Sequence, residues 1–75
     1  MADKKALIGK ILDAIELLEK AASDAAAGGV FRAREWMMIS FYMRIGVAAI
    51  RAALASSPAG AAALDARRAK ARPTK

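Results

Sequence analysis

The sequence has no cysteine and no histidine. Those two absences exclude disulfides, the usual zinc ligand sets, thiol nucleophiles and imidazole acid–base chemistry. Asparagine and glutamine are missing as well. Asn, Gln and Cys are the thermolabile residues that heat-adapted proteins avoid, so their joint absence points to a hot environment or to a GC-rich genome. Glycine is scarce, at 5 of 75 residues, and its one pair, Gly28-Gly29, lacks the Gly-Lys-Ser/Thr continuation of a phosphate-binding loop and reads as a turn. The nearest approach to paired catalytic acids is Asp13 with Glu16 on the polar side of a helix, where carboxylates are ordinarily solvated charges. The expectation is a protein with no enzymatic role, metal, cofactor or small-molecule substrate.

Long apolar runs are also lacking. Lys10 and Asp13 interrupt the early apolar stretch, so no secretory signal is expected. The longest uncharged run, Ala52 to Leu64, contains Ser56, Ser57, Pro58 and Gly60. A conventional spanning segment of roughly 20 apolar residues is therefore not expected either.

What is present is alanine, 21 of 75 residues, in a chain long enough for a single domain. At this size an isolated core supplies only about 3–5 kcal/mol unless disulfides, metal or association add to it. With the first two excluded, association remains. The reading is an all-α protein, 1–75, that forms a two-helix antiparallel hairpin with a short basic C-terminal helical tail and assembles into a larger oligomer or helical polymer.

The helices follow from periodicity. Ile8, Ile11, Ile15, Leu18, Ala22 and Ala25 share one face of a helix over about 3–27, with Leu7, Leu12 and Leu17 widening it. Gly28-Gly29 then closes the helix and reverses the chain. From 30 to about 56 the chain has no proline and only Gly46, which predicts a second helix of about 40 Å. Trp36, Met37, Met38, Ile39, Phe41, Tyr42, Met43, Ile45, Val47 and Ile50 surround its axis almost completely. One partner helix cannot cover such a surface, so Trp36, Met37, Ile39, Phe41, Met43, Ile45 and Ile50 are expected at subunit contacts. Alanines on both arms let helix axes approach closely. A break is expected at 57–60, with Pro58 removing a donor and Ser57 suited to cap a short third helix, followed by a basic tail over 61–75.

The net charge of +6 is unevenly placed. Residues 3–27 carry −1, residues 30–56 carry +3, and residues 57–75 carry +4. Within the second helix Arg44 and Arg51 lie within about 40° of each other and of Ser40. A guanidinium among Met, Ile and Phe needs a partner, either a phosphate or a carboxylate such as Glu16, Glu19 or Glu35. The tail adds Arg67, Arg68, Lys70, Arg72 and Lys75, a composition suited to backbone phosphates without base readout. Arg44, Arg51, Arg67, Arg68, Lys70 and Arg72 are therefore the candidate nucleic-acid contacts. Anionic lipid is the alternative partner for a basic strip, with Trp36, Phe41 and Tyr42 as interfacial anchors.

The turn Ala27-Gly28-Gly29-Val30, the small-residue helices and the basic set ending in Arg67-Arg68-Ala69-Lys70 resemble the major coat protein of the bacilliform double-stranded DNA viruses of hyperthermophilic archaea, the clavavirus type. The resemblance implies a virion protein, many identical hairpins forming a helical capsid around a wound genome, with basic side chains lining the inside. Three readings stand beside it: a membrane-associated or secreted helical filament subunit, a small chromatin-like DNA-binding oligomer, and a four-helix-bundle dimer that binds neither lipid nor DNA.

Overall fold

A computed structural model describes residues 3–71, and the tail positions 72–75, among them Arg72, lie outside that range. The described chain is all helical: α1 (Lys4–Ala27), α2 (Ala33–Ala55) and α3 (Pro58–Ala71).

Helix α1 starts where Asp3 accepts a hydrogen bond from the Lys5 backbone N–H at 3.2 Å, satisfying one of the amides that a helix start leaves open. It ends in a Schellman motif. Val30 N–H donates to the Ala25 carbonyl at 3.0 Å and Gly29 N–H to the Ala26 carbonyl at 3.1 Å. Gly29 holds φ +80, a conformation that a side chain makes costly, so the Gly-Gly pair is used as the turn that the sequence indicates.

The second helix begins three residues later than expected, at Ala33. Two local interactions hold Val30, Phe31 and Arg32 outside it. The Glu35 carboxylate accepts from the Arg32 backbone N–H at 2.8 Å, and the Phe31 ring stacks on Trp36 with centroids 6.1 Å apart. The latter pair occupies the positions of a hydrophobic staple, which fixes the angle at which the chain enters the helix.

Only Ser56 and Ser57 separate α2 from α3, so the break expected at 57–60 is shorter than that. Proline at the first helical position loses no hydrogen bond and presents a pre-set φ, which lets α3 begin at Pro58. Ser57 caps it as the sequence suggests, its Oγ accepting from Gly60 N–H at 3.1 Å.

Packing is where sequence and structure diverge most. The buried hydrophobic side chains among the described residues are Ile8, Leu12, Ile15 and Val47, with Met43, Leu54, Ala63 and Leu64 half-buried around them. On α1 the buried stripe therefore runs through Leu12, while Ile11 and Leu18, expected on the central face, are exposed. The cause is α3, which packs on both other helices more extensively than they pack on each other. Its Leu64 and Ala63 draw the core toward the 8–12–15 line. The segment read as a tail is thus the third wall of the core.

Gly60 makes that wall possible. It is buried, and a Cβ there would overlap the Leu54 carbonyl oxygen and lie 2.7 Å from the Leu54 carbonyl carbon. Helix α3 turns against the end of α2 at a distance that only glycine permits. Gly60→Ala is expected to lower stability by about 1–3 kcal/mol through overpacking. Thermal unfolding followed by circular dichroism checks this, and an unchanged midpoint would contradict the close-approach account.

An unfinished apolar face and an arginine cleft

The molecule presents more surface than its mass requires. It exposes 6147 Å², whereas a compact 7.9 kDa monomer exposes roughly 4,400 Å². Its radius of gyration is 14.6 Å, against roughly 11 Å for a compact domain of this length. Among the described residues, six of the eleven exposed large hydrophobic side chains lie on α2. Val47 is the one buried residue of that helix, while Tyr42 is 61% exposed, Ile45 51% and Phe41 49%.

Helical geometry orders these residues. At about 100° per residue, Met38 and Ile45 lie within roughly 20° of the direction opposite Val47, with Phe41, Tyr42, Ala49, Ala52 and Ala53 beside them. This outer seam carries no charge from Met38 to Ala53 and tapers from large side chains to alanine. Of the expected contact residues, Met37, Phe41 and Ile45 are exposed, with Ile50 less so at 39%. Trp36 and Ile39 are half-buried, Trp36 against Phe31, and Met43 packs on the monomer core.

Arg44 and Arg51 lie on the other side of α2, flanking Val47 within about 60°. There they have different surroundings. Arg44 Nε donates to the Ser40 carbonyl at 3.4 Å. Arg51 reaches Glu19 of α1 at 3.9 Å, a loose and half-exposed pair. Of the two partners open to Arg51 from sequence, the carboxylate is the one the fold supplies, and Arg44 has no carboxylate partner among the described residues.

Arg67 is the most constrained of the basic residues. One terminal nitrogen of its guanidinium lies 2.7 Å from Asp13 and the other 3.2 Å from Glu16, and the first also donates to the Gly9 carbonyl at 3.4 Å. Its pKa is raised above that of an ordinary arginine, chiefly by the hydrogen bond it donates to Asp13, with desolvation opposing and Glu16 adding. The group is therefore a permanent cation, and the contact is a charge-assisted fork from α3 onto α1. Arg68 and Lys70 are exposed and have no carboxylate partner among the described residues.

These side chains border a cleft of about 290 Å³ between the three helices, lined by Leu12, Ile15 and Glu16 of α1, Arg51 of α2, and Leu64, Arg67, Arg68 and Ala71 of α3. Three of the candidate arginines, distant in sequence, converge there, while Arg44 and Lys70 are not among its lining residues. Sequence reasoning passed over Asp13 as a partner for a basic residue. Asp13 and Arg67 are far apart in the chain, and no local spacing could have joined them.

Comparison with protein-family models, with curated proteins and with solved structures gives no match.

Because Leu64 and Ala63 give α3 little apolar area, its docking should depend on the Arg67 fork. Arg67→Met, which keeps the stem and removes the charge, is expected to raise the amide exchange of α3 well above that of α1, whereas Lys70→Met leaves it unchanged. Equal protection of α3 in both variants would show that the fork does not hold the helix.

Proposed function

We propose that this chain is a self-assembling structural subunit that packs polyanionic nucleic acid through sequence-independent phosphate contacts, of the kind found in the coat of a double-stranded DNA virus. The observation that carries the reading is the outer seam of α2, a charge-free apolar strip left open by a monomer that buries only four apolar side chains. Surface beyond that of a compact monomer, on the order of 1,000 Å², is enough for a standard interface, which takes about 800 Å² from each partner. Copies joined along α2 would complete the core that one chain lacks. In this reading α1 and α2 form the hairpin that repeats in the assembly, and α3 carries basic charge to its surface.

The charge fits the same role. A subunit of +6 neutralises roughly three base pairs of duplex DNA, so a genome would need many copies, as a coat provides. Such contacts are salt-dependent and indifferent to sequence, while apolar contacts between copies supply the cohesion.

A second reading is favoured by α2 itself. The helix is long and apolar enough to cross a bilayer, with little of it buried. Its 23 residues extend about 35 Å against a hydrocarbon thickness of about 30 Å. Arg44 falls at its middle, where translocon scales place a charge at about 2.5–3.5 kcal/mol. That cost favours the seam lying against other copies, or along a bilayer surface, over a spanning helix.

Electron microscopy of the purified chain before and after nuclease, beside Ile45→Glu, tests the proposal. The expected result is regular rods or filaments with protected nucleic acid for the parent chain, and small particles without it for Ile45→Glu. Discrete monomers from both would end the assembly reading. Material that forms only with lipid and ignores nuclease would replace it with the bilayer one.

A further inference from the structure

The cleft between the helices goes further than a general basic surface, and the inference drawn from it rests on the nucleic-acid reading above. Leu12, Ile15, Leu64 and Ala71 line it together with Arg51, Arg67 and Arg68, around a space of about 290 Å³, and its one lining carboxylate, Glu16, is already paired with Arg67. The three guanidinium groups are not equivalent. Arg67 is committed to Asp13 and Glu16 at 2.7 and 3.2 Å. Arg51 has only the loose 3.9 Å contact with Glu19, at half exposure, and Arg68 has no carboxylate partner among the described residues. Two cations thus border one cleft with donors to spare, presented from different helices.

We infer that this cleft is a phosphodiester site, in which Arg51 of α2 and Arg68 of α3 grip one backbone phosphate while Arg67, tied to α1, holds α3 at the right distance. Guanidinium suits this task because its planar fork donates to two phosphate oxygens at once. Arg67 is a positioning residue here, and the gripping pair are Arg51 and Arg68.

The site also explains a division on α2. Arg51 lies on the Val47 side of the helix, about 120° or more around the axis from Met38 and Ile45. Phosphate binding and association through the seam use different faces, so neither blocks the other. An assembly closed along the seams keeps its clefts open.

The test is duplex binding by fluorescence anisotropy across a salt series, comparing the parent chain with Arg51→Gln/Arg68→Gln, Arg68→Gln alone, and Arg32→Gln/Arg34→Gln. Each phosphate contact contributes about −0.9 to the slope of log affinity against log salt. The double cleft variant is expected to flatten the slope by roughly 0.9 and Arg68→Gln alone by part of that, while the Arg32/Arg34 pair, carrying the same charge loss, leaves the slope near the parent value. Because Arg68 makes no ion pair among the described residues, its single variant separates lost contact from lost folding. Equal flattening by both double variants, or none by either, would overturn the cleft while leaving nucleic-acid binding intact. A parent chain that binds no duplex would overturn the underlying reading as well. Binding to phosphatidylserine vesicles but not to duplex, with the same dependence on Arg51 and Arg68, would overturn the nucleic-acid assignment and give the site to lipid headgroups.

Discussion

Arg67 reaches from α3 to Asp13 and Glu16 of α1, the ion-paired tie between those two helices among the described residues. Helix α3 is half alanine and offers the core only Leu64 and Ala63, little apolar area for fixing a helix. The fork supplies direction as well as attraction, because a planar guanidinium meets carboxylates in a defined geometry. With α3 fixed, Gly60 can lie against Leu54, the core closes over Leu12, Ile15 and Val47, and Arg51 and Arg68 come to border a common cleft.

The same arrangement leaves α2 two-sided. Its Val47 face is covered by α1 and α3, and its Met38–Ile45 face is not. A helix of this composition in a finished monomer would be enclosed, since exposed apolar surface of this extent marks a site of association. In the proposed assembly the neighbours that cover this face are other copies of the chain. Arg44 and Arg51 lie away from the open seam, and Arg34, in the first turn of α2, precedes it.

Much of the local structure was legible in the sequence. The ends of α1, the Gly28-Gly29 turn and the capping role of Ser57 follow from short-range rules, because the hydrogen bonds involved span two to five residues. Helix propensity over 30–32 predicts an earlier start for α2 than the one observed, because propensity takes no account of the Arg32 N–H bond to Glu35 and the Phe31–Trp36 stack, both set at fixed offsets from the helix start. The role of α3 was less accessible. Alanine gives almost no amphipathic signal, so nothing in the periodicity marks a helix that docks through one glycine, one leucine and one arginine. For the same reason the core stripe was drawn through Ile11 instead of Leu12. Of the candidate site, the residue types were legible and their convergence was not, since Arg51, Arg67 and Arg68 meet only through the path the chain takes between helices.

The central claim is that one chain is incomplete and that association along α2 finishes its core. Thermal unfolding of the purified chain over a wide range of concentration tests it most directly, because a fold completed by association gains stability by mass action. The account predicts a midpoint that rises steadily with concentration, together with a sedimenting species larger than one chain. A midpoint independent of concentration in a chain that sediments as a monomer would contradict it.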